Sequence, residues 1–312
     1  MTLSKKTYSF AVRSREINVE MAYPRGSLSG TQIVRFFQDA IQKVYMWIYV
    51  ATRFAPRDCS NAMSIHLYFT DYVKTLSKTK SEPLNTVHVN TAFTTSCSPS
   101  TDIFLFRREE WFKVFIHETF HNLGLDFSSM NNDAVNAMVS KIFPVTGDIR
   151  LFETYCEMWA EIMNALFISF STTTKSGIKK ITSILGSESV FSAFQCVKIL
   201  EHYGLTYHDM TSSHRRIVGL KKYKEKTYVL SYYLIKSILM THVNDFIEWC
   251  LDHNGVTLNF KKTQPNMADF VNLISQLYKT PQHLELIESA ETVKLPGVDA
   301  FIRHTLRMTV FG

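Results

Sequence analysis

Apolar side chains return every three or four positions from Ile33 through Phe37, Ala40, Val44, Trp47 and Ile48 to Ala51, which predicts a helix over residues 31–52 closed by Pro56. Residues 27–30, Ser-Leu-Ser-Gly, read as the loop before it. Alternating aromatic and β-branched residues then predict strands over 64–73, 86–95 and 102–106. From 111 onward the period is helical, first over 111–123 and then over 131–142, with a turn at 144–148. Further helices are expected over 152–170, 189–203, 228–252 and 268–278. This order predicts an α+β chain in which a small N-terminal mixed sheet precedes a mostly helical C-terminal lobe. Three regions follow from it: strand and helix over 1–60, a core over 61–170, and a helical subdomain over 171–312.

Within the 111–123 helix stands His117-Glu118-Thr119-Phe120-His121. Histidines four apart lie about 40° apart around a helix axis, one turn above the other, so one metal ion can touch both rings. Glu118 projects beside them, placed to take a proton from a water in the site. Glu109 and Glu110 fall where first-turn carboxylates suit the helix dipole, and Gly124 falls where a C-terminal cap would. The bland alternative is a pair of core histidines satisfied by hydrogen bonds. It is disfavoured because two histidines and a glutamate on so apolar a helix need partners.

A metal site of this kind needs a third protein ligand. Gly124 matches the glycine of an HExxHxxGxxH continuation, but its last ligand position falls on Phe127, and Asp126 misses by one. The other source is the 152–170 helix, where Glu153, Glu157 and Glu161 at i, i+4 and i+8 share one face.

Residues 87–164, about a quarter of the chain, resemble zincin metallopeptidases of the gluzincin type, and in particular an uncharacterised HExxH group of large DNA viruses. The resemblance is carried by Val89-Asn90-Thr91-Ala92-Phe93-Thr94, by Glu109 to Val114, by His117 to Phe127, and by Glu153 to Glu157. Glu157-Met158-Trp159-Ala160-Glu161 is similar to the segment that carries the glutamate ligand in several gluzincin families. The resemblance implies a zincin-like fold with the sheet over the HExxH helix, and a Zn2+ held by His117, His121 and Glu157. Glu153 is the alternative ligand, with Glu157 then orienting a histidine, and both registers stay open. It also implies peptide-bond hydrolysis with Glu118 as general base. The stretch from His121 to Glu157 is longer than in thermolysin-like enzymes, and the 131–142 helix would fill it. A second donor to the developing oxyanion is expected downstream, among His202, Tyr203, Tyr207, His208, His214, Tyr232 and Tyr233, with His202 and Tyr203 preferred. The substrate, a peptide or protein, is expected to add as a strand along an edge at 87–95. The contrasting expectation is an inert scaffold or virion component on the same fold.

The composition changes this picture little. With 312 residues, 46% of them hydrophobic, and few glycines or prolines, the chain suits an enzyme-sized folded protein. Net charge is +6, and clusters such as Lys221-Lys222-Tyr223-Lys224 read as solvated faces, so no nucleic-acid partner is expected. The polar start argues against a signal peptide, and the most apolar window, 44–51, is too short to cross a bilayer, so no membrane insertion is expected. Five widely spaced cysteines suit a reducing compartment. The expected location is therefore intracellular, in the cytoplasm of an infected host cell or packaged in virions.

Overall fold

A hairpin opens the chain. β1 (Leu3–Val12) and β2 (Arg15–Pro24) pair antiparallel with Val12 opposite Arg15, and Arg13 takes a left-handed φ of 55° in the two-residue turn. The computed structural model describes residues 3–26, 28–172, 177–293 and 299–312, so Ser27 of the expected 27–30 loop lies outside the described residues. Helix α1 (Gly30–Ala51) begins with a capping box, in which the Ser29 hydroxyl accepts from Gln32 N and the Gln32 side chain accepts from Ser29 N. Its buried face carries the apolar series expected from the sequence, and Trp47 Nε1 donates to Thr119 Oγ1 at 2.6 Å, tying it to the HExxH helix.

The chain returns through β3 (Ala62–Tyr68), parallel to β2, then passes a single helical turn, α2 (Thr86–Val89), to β4 (Ala92–Thr94) and β5 (Ser100–Leu105). Among the described residues the sheet has five strands in the order β1-β2-β3-β5-β4, with β3 parallel to β5 and β4 antiparallel at the edge. Met63, Ile65, Leu67, Ile103 and Leu105 bury one face against the helices. This is an α+β protein with a small mixed sheet and a mostly helical body. Its sheet takes strands from both sides of position 60.

Two strand expectations need correction. The run 86–95 is not one strand: the Asn85 side chain accepts from Val87 N and His88 Nδ1 accepts from Asn85 N, and this capping closes a helical turn before three residues of strand remain. The strand expected over 64–73 ends at Tyr68. β1 and β2 add to the three strands expected.

Helices α3 (Trp111–Asn122), α4 (Asp133–Ile142), α5 (Leu151–Thr172) and α6 (Gly177–His202) follow, then the short α7 (Tyr207–Thr211) and α8 (Arg216–Lys222). The single helix expected over 228–252 is three pieces: a π-helix (Leu230–Ile235), α9 (Lys236–Thr241) and α10 (Val243–Asn254). The break falls at His242, whose ring nitrogens reach Asp245 at 3.1 Å and Thr280 at 2.7 Å. Helices α11 (Gln264–Leu277), α12 (Pro281–Thr292) and α13 (Ala300–His304) complete the body. No helix among the described residues is long and apolar enough to cross a membrane.

After α13 the chain runs back under α3. Glu110 accepts from the amides of Met308 and Thr309 at 2.5 and 2.6 Å, while Glu188 of α6 accepts from Val310 N and Phe311 N and from the Thr309 hydroxyl. Cys59 and Cys97 form a disulfide, with Cα atoms 4.9 Å apart, in a chain whose cysteine spacing reads as suiting a reducing compartment. The other three are free and buried.

Candidate metal centre

α3 is buried from Phe112 to Asn122, so every side chain of the motif faces protein or an internal cavity. Its start differs from the expectation: Glu109 and Glu110 precede the helix, and Glu110, at φ 56°, makes no side-chain cap. Burial opposes ionisation of Glu110, but Lys74 at 3.0 Å and Lys113 hold its carboxyl below the ordinary range. The end is as expected. Gly124 at φ 59° donates to His121 O, and Leu125 N donates to Phe120 O, closing the last turn. A Cβ at Gly124 would also stand 2.9 Å from Cys59 Sγ. Gly124→Ala is therefore expected to cost roughly 2 kcal/mol or more in chemical denaturation, from the left-handed backbone and the clash together. A loss below about 0.5 kcal/mol, the scale of a neutral surface change, would contradict this account of the turn.

Three ligand atoms converge on one point. His117 Nε2 and His121 Nε2 are 3.2 Å apart, and Glu153 Oε2 lies 3.1 Å from the first and 3.4 Å from the second. Ligands placed about 2.0–2.1 Å from a tetrahedral zinc are separated by about 3.3 Å, so the three edges fit one small metal ion. This buried group could hold a metal ion. The lone pairs of two imidazoles and a carboxylate are the donor set such an ion takes.

The order of preference between the two glutamates is therefore reversed. Glu157, expected first, is not among the converging atoms: its Oε1 stands 2.9 Å from the other nitrogen of His117, Nδ1, close but off the direction of the ring N–H. On its opposite side Glu157 Oε2 takes a hydrogen bond from Lys113 and an ion pair from Lys236 at 3.5 Å. Burial pushes this carboxyl up, but the two ammonium groups overcome it and hold it well below the ordinary carboxylate range. One turn earlier on α5, Glu153 meets Nε2 of both rings. Asp126, one place off the HExxHxxGxxH register, instead bonds His121 Nδ1, and its Oδ1 accepts from Ser128 N and Oγ. His121 thus has a carboxylate bonded at its rear nitrogen, the arrangement that fixes the ring and leaves Nε2 forward, and His117 has one beside its own. Glu161, third of the i, i+4 series, bonds Lys236 at 2.5 Å, and burial raises its carboxyl to about 8.

A cavity of about 470 Å³ opens onto the three atoms, and Glu118, Thr94, Asn132, Arg150 and Tyr232 line it. Burial raises the Glu118 carboxyl against the pull of His117 and His121. Tyr232 stands with its ring 6.1 Å from that of His117, and burial together with the charge of Glu153 keeps its hydroxyl protonated.

No family model, curated protein or solved structure matches this chain.

His202 and Tyr203, the preferred oxyanion donors, are not at the cavity. At the end of α6 the His202 ring bonds Glu82 O at 2.9 Å, and the Tyr203 hydroxyl accepts from Leu84 N at 3.0 Å, so both fasten the 82–84 segment. Tyr232, one of the seven candidates, is there because the π-helix carries it, and π-turns concentrate at functional sites. Lys113 and Lys236 were not singled out. The signal for Lys113 is a lysine in an apolar run, four residues before His117 and on the same face.

The ranking of the glutamates is testable. Glu153→Gln is expected to weaken zinc affinity by about a hundredfold or more, and Glu157→Gln by about tenfold, the low end for a group behind a ligand. Competition titration with a chromophoric chelator reads both, and the reverse order would return Glu157 to the metal.

Proposed function

We propose that this protein is a zinc-dependent peptidase of zincin-like architecture, hydrolysing peptide bonds of peptide or protein substrates. The observation that carries the reading is the convergence of His117 Nε2, His121 Nε2 and Glu153 Oε2 at metal-ligand spacing in a cavity that also holds Glu118. Zinc bound there supplies Lewis acidity and lowers the pKa of water in the site toward neutrality. Glu118 takes a proton from the attacking water and returns it to the leaving amine nitrogen. Its buried setting raises the carboxyl, which favours its holding the proton between the two transfers. The Tyr232 hydroxyl donates to the carbonyl oxygen as negative charge develops on it. Asp126 and Glu157 keep the histidine rings in place from behind.

The substrate main chain docks along β4. Phe106 N bonds Thr91 O at one end of the β4–β5 ladder and Thr95 N bonds Asp102 O at the other. That alternation leaves the amide and carbonyl of Ala92 on the unpaired edge, beside the cavity.

Metal content tests the reading most directly. Purified protein is expected to carry about one zinc per chain by elemental analysis, and His117→Ala to carry little. Cleavage of a peptide library, read by mass spectrometry, should stop with a chelator and return with zinc. A wild-type protein that is folded yet takes up no zinc, or cleavage indifferent to the chelator, would sink the proposal.

A further inference from the structure

A second groove, of about 550 Å³, lies on the other side of β4 and is walled by Tyr72, Val73, Val87, Phe93, Phe106 and Arg107. Its apolar walls are open to water: Val87 is 73% exposed, Tyr72 71%, Phe93 58% and Val73 40%. Four large apolar side chains gathered around one concavity mark a binding surface, since each loses about 25 cal/mol for every Å² left in water. The groove is preformed. Arg107 Nη2 donates to Val87 O at 2.6 Å, holding α2 against the sheet, and the Phe93 ring stacks on Phe104 at 5.0 Å.

The groove is continuous with the metal cavity, because Asn90, Ala92 and Phe93 line both. The two spaces lie on opposite faces of the edge. Ala92 and its partner Leu105 are buried toward α3, whereas Phe93 and its partner Phe104 point the other way. A peptide added as a strand along β4 presents its side chains alternately to these two faces. One residue then faces the metal cavity and its neighbour faces the groove.

We propose that this groove receives a bulky aliphatic or aromatic side chain of the peptide substrate, so that the enzyme selects for such a residue beside the one that faces the metal. The assignment rests on the peptidase reading and on docking along β4. Its occupant is apolar because the exposed wall is hydrocarbon, whereas Arg107, the charged side chain among the described lining residues, is 95% buried, with Nη2 bonded to Val87 O and Nε and Nη1 themselves out of reach of water.

The test uses the zinc-loaded full chain and a series of short peptides that end in a hydroxamate, a zinc-binding group, and differ at one position only: Phe, Leu, Ala, Gly or Asp. Isothermal titration is expected to show the Phe and Leu compounds binding about ten- to a hundredfold more tightly than the Gly compound, as burial of one such side chain gives. Val87→Asp, and separately Tyr72→Ala, should bring that ratio to within about threefold, with zinc content measured alongside. Zinc-dependent binding with no apolar preference at the varied position, or with a preference that neither substitution changes, overturns the subsite and leaves the peptidase reading standing. No zinc-dependent binding overturns both. If Val87→Asp instead converts a dimer to a monomer in sedimentation, the groove is an interface between copies and the proposal fails.

Discussion

Glu118→Gln is expected to keep the zinc and the fold while lowering peptidase turnover by about 10²–10⁴-fold, the usual contribution of a positioned general base. The amide is nearly isosteric with the carboxylate and belongs to none of the converging ligand atoms, so metal content by elemental analysis and the melting temperature should match wild type. What disappears is a group that can take a proton from water. Glu118 suits the substitution because its carboxylate makes no ion pair or hydrogen bond with the described residues, so little of the fold hangs on its charge. Wild type and variant should be run on one peptide library with mass-spectrometric readout. Equal cleavage by the two proteins, both holding zinc, would remove Glu118 from the mechanism. An absence of cleavage by wild type across the library would point to an inert zinc protein.

The second large effect concerns stability. Lys113 is 1% exposed and sits among Glu157, Glu161 and the Met308 sulfur, with Lys236 close by on α9. Lys113→Met fills the same space but takes from the buried Glu157 carboxylate its hydrogen-bonded ammonium and leaves only Lys236 at 3.5 Å, and breaking one side of a buried pair costs about 3–5 kcal/mol. For a chain of this length that is a fall in melting temperature on the order of 10 °C. Pairing the change with Glu157→Gln should recover a large part of the loss, because the stranded charge goes too, and the coupling is read from the double-mutant cycle. A single variant that melts within about 2 °C of wild type would show that the cluster contributes specificity of arrangement and little net stability.

How much of this was legible in the chain depends on whether a pattern was local. The HExxH helix, α1, α5 and the glycine stop at Gly124 rest on periodicity and caps a few residues apart, and each stands close to where it was expected. The third ligand was narrowed to Glu153 or Glu157 with Glu157 first, whereas it is the Glu153 oxygen that converges with the two Nε2 atoms. Both lie on one helix face, and what separates them is Lys113 and Lys236 drawing Glu157 to the rear of His117 from two other helices. His202 and Tyr203 were misplaced for the same reason, since their partners at 82–84 lie about 120 residues away in sequence. The Cys59–Cys97 bond joins residues 38 apart whose meeting depends on the β4–β5 hairpin, and no spacing rule announces it. The 86–95 error is the opposite case. A local signal, Asn85 as a cap, was present and outweighed by the alternation around it.

The threading of residues 308–311 against Glu110 and Glu188 has a kinetic side. The amides that quench Glu110 are 198 and 199 residues further along the chain, and Lys236, which flanks Glu157, bonds Met308 O at 2.6 Å. During synthesis α3 therefore emerges with Lys74 already made but long before Lys236 and the amides of Met308 and Thr309, and it spends that interval with part of its charge facing an unfinished core. Such long-range closure is slow to nucleate. The metal pocket should be among the last parts of residues 1–312 to become rigid, and zinc capture by a nascent chain should trail the emergence of residues 308–311 rather than the appearance of the HExxH motif.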